Sequence, residues 1–181
     1  IVGLPLPLLP AQIIWLNFVT DPFLTIAHAL GRKEEGLLEG RFQKPNKYLV
    51  DSLIGWRMVF MALPMSLGTL YLFSTYLNLD PAKALTMSLT VLAVFQWFNA
   101  WNCLSESKSL FTSNPFKNPY LILATATVFS LQILAIYNPF LQSVLNTVPL
   151  SLNDWLLIVP VALSIVLVEE VRKFFYRGSM I

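Results

Sequence analysis

The run WLNFVTDPFLTIAHAL, residues 15–30, sets an amide, a hydroxyl and a carboxylate (Asn17, Thr20 and Asp21) inside an otherwise apolar stretch. At i, i+3 and i+4 the three share one face of a helix. Such oxygen ligands suit hard cations: calcium, magnesium, sodium or manganese. Pro22 follows directly. A proline within a helix offers no N–H to the carbonyl four residues earlier, here Phe18, and disfavours helical geometry at the residue before it, here Asp21. The helix is therefore expected to break or unwind at the carboxylate. Unwound backbone at membrane depth is tolerated where it lines a cavity, and its freed carbonyls can complete a cation site. A second reading stays open, in which the trio hydrogen-bonds to a neighbouring helix and the proline is a structural kink. A carboxylate beside a helix break is a costly way to hold helices together, which favours the ion site.

A second polar set lies in ALTMSLTVLAVFQWFNAWNCLSESKSLF, residues 84–111. Gln96 and Asn99 stand at i and i+3, with Cys103 continuing their face. Amides are neutral ligands, weaker than carboxylates for a hard cation, and serve equally as interhelical hydrogen-bond partners. Gln96 is a candidate for either role, whereas Asn99 and Asn102 read as interhelical partners. Thr86, Ser88 and Thr90 are expected to bond back to their own helix. His28 has no second His or Cys nearby, so a satisfied structural histidine is the better reading than a transition-metal ligand. Glu169, Glu170, Arg172 and Lys173 read as an interfacial anchor that pairs within itself. The 5 Trp and 6 Tyr suit interfacial belts and packing. No Walker glycine loop, catalytic carboxylate pair, Ser/His/Asp set or Cys/His nucleophile can be assembled, so nothing in these residues hydrolyses ATP. The lone Cys103 provides neither a disulfide nor a thiolate metal site.

These residues must be positioned by elements that cross a bilayer. Of the 181 residues, 56% are hydrophobic and 12% charged, whereas a soluble domain carries about 25% charge. Mean hydropathy is +0.64. Five apolar blocks, at about 11–30, 53–77, 83–104, 119–138 and 152–175, each have the roughly twenty residues that a ~30 Å hydrocarbon layer needs. The alternation of a barrel strand is missing from them. The fold class is thus an all-α membrane protein, a bundle of about five transmembrane helices. Of the 12 Lys and Arg residues, only Lys83 falls on one side of this plan. Arg32, Lys33, Arg41, Lys44, Lys47 and Arg57, then Lys108 and Lys117, then Arg172, Lys173 and Arg177 all fall on the other. Positive charge marks the cytoplasm, so the N-terminus is expected outside and the C-terminus in the cytoplasm. A net charge of +2 and pI near 8.8 exclude a nucleic-acid reader. The opening IVGLPLPLLP lacks the basic start and cleavage site of a signal peptide. An odd number of spans beginning outside implies further helices upstream, so the chain is expected to be the C-terminal piece of a larger transporter or channel.

With these residues in place, the sequence resembles the C-terminal membrane domain of P-type cation-transporting ATPases, the calcium-pump branch in particular, over essentially its whole length. LPLLPAQIIWLNFVTDPFLTIAHAL is similar to that family's sixth membrane helix, in which a Pro-x-Gln-aromatic entry precedes Asn-x-x-Thr-Asp. FNAWNCLSESKSLF is similar to the end of the eighth helix, and DWLLIVPVALSIVLVEEVRKFFYR to the tenth. The five spans then correspond to helices six to ten, and residues 1–4 to the last turn of the fifth. The resemblance implies an ATP-driven pump with an aspartyl-phosphate intermediate, in which Asn17, Thr20 and Asp21 occupy cation-ligating positions and Asp21 can bridge two sites. Gln96 occupies the eighth-helix position where two-site calcium pumps carry a carboxylate. That departure implies a single cation per cycle, or a different cation. Pro22 stands where many calcium pumps have Gly. The phosphorylated Asp, the nucleotide and actuator domains and the fourth-helix Pro-Glu-Gly segment have no counterpart here.

The leading expectation is the transport-domain portion of a cation pump, with calcium as the cation and magnesium, manganese, sodium or protons as alternatives. ATP and Mg would serve the intact pump without binding this segment. Its partners would be the upstream membrane helices and cytosolic domains of the same polypeptide, together with the lipid of a plasma or cytoplasmic membrane. A stand-alone membrane scaffold or regulatory subunit is the second class. A passive channel is the third, disfavoured because one acidic residue alone lies clearly at membrane depth.

Overall fold

The computed structural model describes residues 5–31, 52–104 and 118–178, which are helical apart from short connections. Six helices follow one another: α1 (Pro10–Leu30), α2 (Ser52–Leu77), α3 (Pro81–Asn102), α4 (Pro119–Tyr137), the short α5 (Pro139–Leu145) and α6 (Leu152–Gly178). α1, α3 and α4, together with Ile54–Leu77 of α2, are long and apolar enough to cross a membrane. The molecule is an integral, multi-pass membrane protein of all-α class. The block expected as a fifth span forms a helix, α6, which is not among these four; it carries Asp154 in its first turn and Glu169, Glu170, Arg172 and Lys173 toward its end. The basic residues 32–47, Lys108 and Lys117, on which the expected orientation leans, lie outside the described residues.

Starts and stops follow local chemistry. Asp80 caps α3 by accepting from the Lys83 N–H at 3.1 Å, ahead of Pro81. Asn118 caps α4 by accepting from the Leu121 N–H at 3.1 Å, ahead of Pro119. Asn138 caps α5 through the N–H groups of Phe140 and Leu141, ahead of Pro139. In each case the cap satisfies N–H groups that have no partner within the helix, and proline fits the first turn because its missing N–H would be idle there. α5 ends at Asn146, which has φ 53°, the left-handed geometry that asparagine tolerates and that closes helices. α5 falls between the fourth and fifth apolar blocks. Its signature was nonetheless written in the sequence, as Asn-Pro at one end and Asn at the other.

α3 is the centre. Its buried residues run round the whole helix, from Ala84 and Met87 through Leu89, Val91 and Phe95 to Asn102, as expected for a helix enclosed on all sides. α2 and α6 pack on it and on each other, and α1 pairs mainly with α4 while also touching α3. Where α2 meets both neighbours, Gly68 leaves no room. A Cβ there would lie 2.7 Å from Val161 Cγ1 and 2.9 Å from Phe95 Cζ. Small residues at such crossings let backbones approach closely.

Two polar clusters tie this three-helix unit. At one end, Asp154 receives Lys83 Nζ at 2.8 Å and the Ser151 N–H and hydroxyl at 2.8 and 2.7 Å. At the other, Glu169 is fully enclosed. It receives Arg172 through two bonds of 2.8 Å and Arg57 of α2 at 3.1 Å. Lys173, 2% exposed, donates to the Asn102 carbonyl at 3.0 Å, one of the α3 carbonyls left without an intrahelical donor. The expected interfacial anchor is thus corrected: Glu169 and Arg172 do pair, but Glu169 and Lys173 turn into the bundle, because α2 and α3 offer them partners that water would otherwise supply.

Candidate cation site

α1 is not uniform. Pro10–Trp15 and Asp21–Leu30 are α-helical, and Leu16–Thr20 between them forms a π-helical turn. The Asp21 N–H donates to the Leu16 carbonyl, five residues back. Asp21 itself keeps helical backbone, φ −62° and ψ −46°. The expected break is therefore corrected: the helix widens by about one residue instead of unwinding. The reason lies in the buried face, made of Gln12, Leu16, Thr20, Leu24 and Ala27. At ~100° per residue, a straight α-helix would turn Leu24 about 120° away from Gln12. One extra residue in the turn restores about 100° of that, so a single face stays against α3 and α4. The register change also falls where Pro22 cannot donate, so the missing N–H coincides with a turn whose bonding is already rearranged.

The predicted ligands divide across this turn. Thr20 is 2% exposed and faces the bundle. Asn17 and Asp21 are exposed within this chain. Among the described residues Asp21 has no ion pair. A carboxylate without a partner, midway along a helix apolar enough to cross a membrane, is a strongly disfavoured arrangement unless something else meets it. Gln96 sits on α3, which packs against both the π turn and the segment after it. Its Oε1 is buried and has no hydrogen-bond partner among the described residues. No hydrogen bond joins Gln96 to Asn17, Thr20 or Asp21 there, so the structure brings their helices together without closing a site. Among the described residues no three His, Cys, Asp or Glu side chains gather as a metal centre; the candidate set is one carboxylate with neutral oxygens.

The neighbouring polar residues sort clearly. Thr86, Ser88 and Thr90 donate to carbonyls four residues back, at 2.9, 2.9 and 2.8 Å, as expected. Asn102 is the expected interhelical partner, its Nδ2 donating to the Ile165 carbonyl at 3.3 Å. His28 hydrogen-bonds the Ala100 backbone of α3, in keeping with the expected structural histidine, while its Nε2 is buried without a hydrogen-bond partner among the described residues. Two glutamines have roles that the sequence reading did not assign to them. Gln12, fully buried, accepts from the Leu9 N–H at 3.1 Å and donates to the Leu145 carbonyl at 3.0 Å. Gln132 of α4 accepts from the Trp15 indole at 3.2 Å and donates to the Thr90 hydroxyl at 3.3 Å. Polar residues in apolar blocks were the available signal, and these two stand alone without a second ligand type beside them.

The chain is similar to known proteins over almost its whole length. Residues 5–175 match the family model described as the C-terminus of cation transporting ATPases. A calcium-transporting ATPase of Bacillus subtilis (strain 168) is 32% identical over 184 residues, covering 100% of this chain and 20% of that protein. The endoplasmic reticulum-type calcium-transporting ATPase 4 of Arabidopsis thaliana is 28% identical over 232 residues, covering 97% of this chain and 22% of that protein. A calcium-transporting ATPase of Plasmodium falciparum (isolate K1 / Thailand) is 26% identical over 225 residues, covering 99% and 18%. The chain thus spans about a fifth of the length of the curated relatives it matches.

Proposed function

We propose, from the premise that this chain belongs to the cation-transporting P-type ATPases as their C-terminal domain, that it supplies membrane ligands for the transported cation, which we take to be calcium. The observation that carries the reading is Asp21: a carboxylate without an ion pair among the described residues, at the end of a π turn, midway along a helix suited to span a membrane. Asn17 and Asp21 would meet a dehydrated cation on the side of α1 that this chain leaves open, with Thr20 at the edge of the bundle. Groups from helices outside this chain would complete the shell. Gln96 would take part as a neutral oxygen, the lack of a hydrogen-bond partner for its Oε1 among the described residues being the second support. With one fewer carboxylate than a two-site arrangement, a single calcium per cycle is the expected stoichiometry.

ATP and Mg would act on cytosolic domains of the same polypeptide. The cycle of phosphorylation there would tilt the membrane helices and weaken the site, so that binding on one side alternates with release on the other. A calcium pump needs a hard, oxygen-rich and adaptable shell, and one carboxylate with amide, hydroxyl and carbonyl oxygens provides it. In the full-length pump, Asp21→Asn should abolish calcium-dependent phosphorylation by ATP. Unaltered calcium affinity in that variant would overturn the ligand assignment.

A further inference from the structure

We infer that Gln132 is a positioning residue for the cation site: from α4 it fixes the indole at the head of the π turn to the helix that carries Gln96. The inference rests on the reading of Asn17 and Asp21 as cation ligands. Gln132 is 1% exposed in a 19-residue apolar helix, where an amide is costly unless its hydrogen bonds are made. Its orientation is forced. The Trp15 indole N–H can only donate, so it must face Oε1. The Thr90 hydroxyl gives its proton to the Thr86 carbonyl at 2.8 Å, so lone pairs are what it offers to Nε2. One side chain thereby spans α1, α4 and α3, at 3.2 and 3.3 Å.

Placement gives the link its meaning. Trp15 is the residue immediately before the π turn. The α-helical segment Pro10–Trp15 is held at its start by Gln12, through the Leu145 carbonyl, and at its end by Gln132. The change in register therefore begins where the fastening stops. On the other side, Thr90 lies six residues before Gln96 on α3, about 9 Å along the axis. Gln132 thus sets the rotation of α1 relative to α3, and with it the direction in which Asn17 and Asp21 point. Without it, the π turn is free to slide by one residue, which would swing those side chains by about 100°.

The test uses the full-length pump, with phosphorylation by ATP titrated against calcium and, in parallel, manganese for Trp15→Phe, Gln132→Leu, their combination and Asp21→Asn. Trp15→Phe keeps the ring and removes only the indole N–H. It should raise half-saturating calcium about three- to fifteen-fold, the range expected for one interhelical hydrogen bond in a membrane. Maximal phosphoenzyme should be unchanged and the calcium-to-manganese preference altered. Gln132→Leu should shift at least as far, and the double variant no further than Gln132→Leu. Wild-type half-saturation in Trp15→Phe overturns the inference even if Gln132→Leu fails to fold. So does a drop in maximal phosphoenzyme at constant half-saturation, which marks a purely structural role. If Asp21→Asn keeps wild-type calcium dependence, the site reading itself fails. If Asp21→Asn abolishes it while Trp15→Phe changes nothing, only the positioning role falls.

Discussion

At position 21 the side chain and the backbone tell different stories, and both bear on function. The carboxylate was legible from its residue type and its apolar surroundings. The backbone was not, because the proline rule forbids a normal α turn without specifying what replaces it. The choice between unwinding and a π turn was made by Leu16, Thr20 and Leu24, whose burial against α3 and α4 is preserved by one extra residue. Gln96 shows the converse. Its type left ligand and packing roles open, and the burial of its Oε1 without a partner among the described residues is a property that neighbours confer. An unsatisfied buried acceptor costs about 1–3 kcal/mol, so its retention favours a task. Gln96→Glu, measured as calcium bound per phosphoenzyme and as calcium-to-manganese preference, should change at least one of the two. No change in either would assign Gln96 to packing.

Among elements, helix limits were the most readable feature. The expected 11–30, 53–77 and 119–138 lie within a residue of Pro10–Leu30, Ser52–Leu77 and Pro119–Tyr137, because length and apolarity act locally, as does the Asn-Pro start of the last. Pairing between helices was not readable, since it depends on which faces meet. The π turn makes an element-scale prediction. Pro22→Ala returns an N–H and lets α-helical bonding resume, so half-saturating calcium should rise while the folded protein remains abundant; an unchanged titration would detach the turn from binding. The Arg57–Glu169–Arg172 cluster makes another. Glu169→Gln leaves two guanidinium groups facing a neutral amide, and breaking a buried pair from one side costs about 3–5 kcal/mol. Thermal unfolding in detergent should show a marked loss of stability, and a midpoint equal to wild type would show that the cluster is not held as described.

For the whole molecule, the arrangement is one enclosed helix with partners unevenly distributed: α2 and α6 on α3 as a cross-tied unit, and α1 with α4 beside it. The sidedness expected from charge makes a direct prediction. Cys103 is exposed and lies at the end of α3 opposite Lys83. In a full-length protein with its other cysteines replaced, a membrane-impermeant maleimide should label Cys103 from the cytoplasmic side only. A cysteine introduced by Asp80→Cys, with Cys103→Ser, should label from the other side. Reversed labelling would invert the orientation.

The partners of Glu169 and Lys173 also constrain how the protein is made. α6 leaves the ribosome after α2 and α3, and a segment entering lipid with a bare glutamate and lysine would be a poor substrate for the insertion machinery. Arg57 and the Asn102 carbonyl are by then already in place to receive them. Integration of α6 is thus expected to depend on association with helices that preceded it, joining biogenesis and tertiary assembly at this end of the chain.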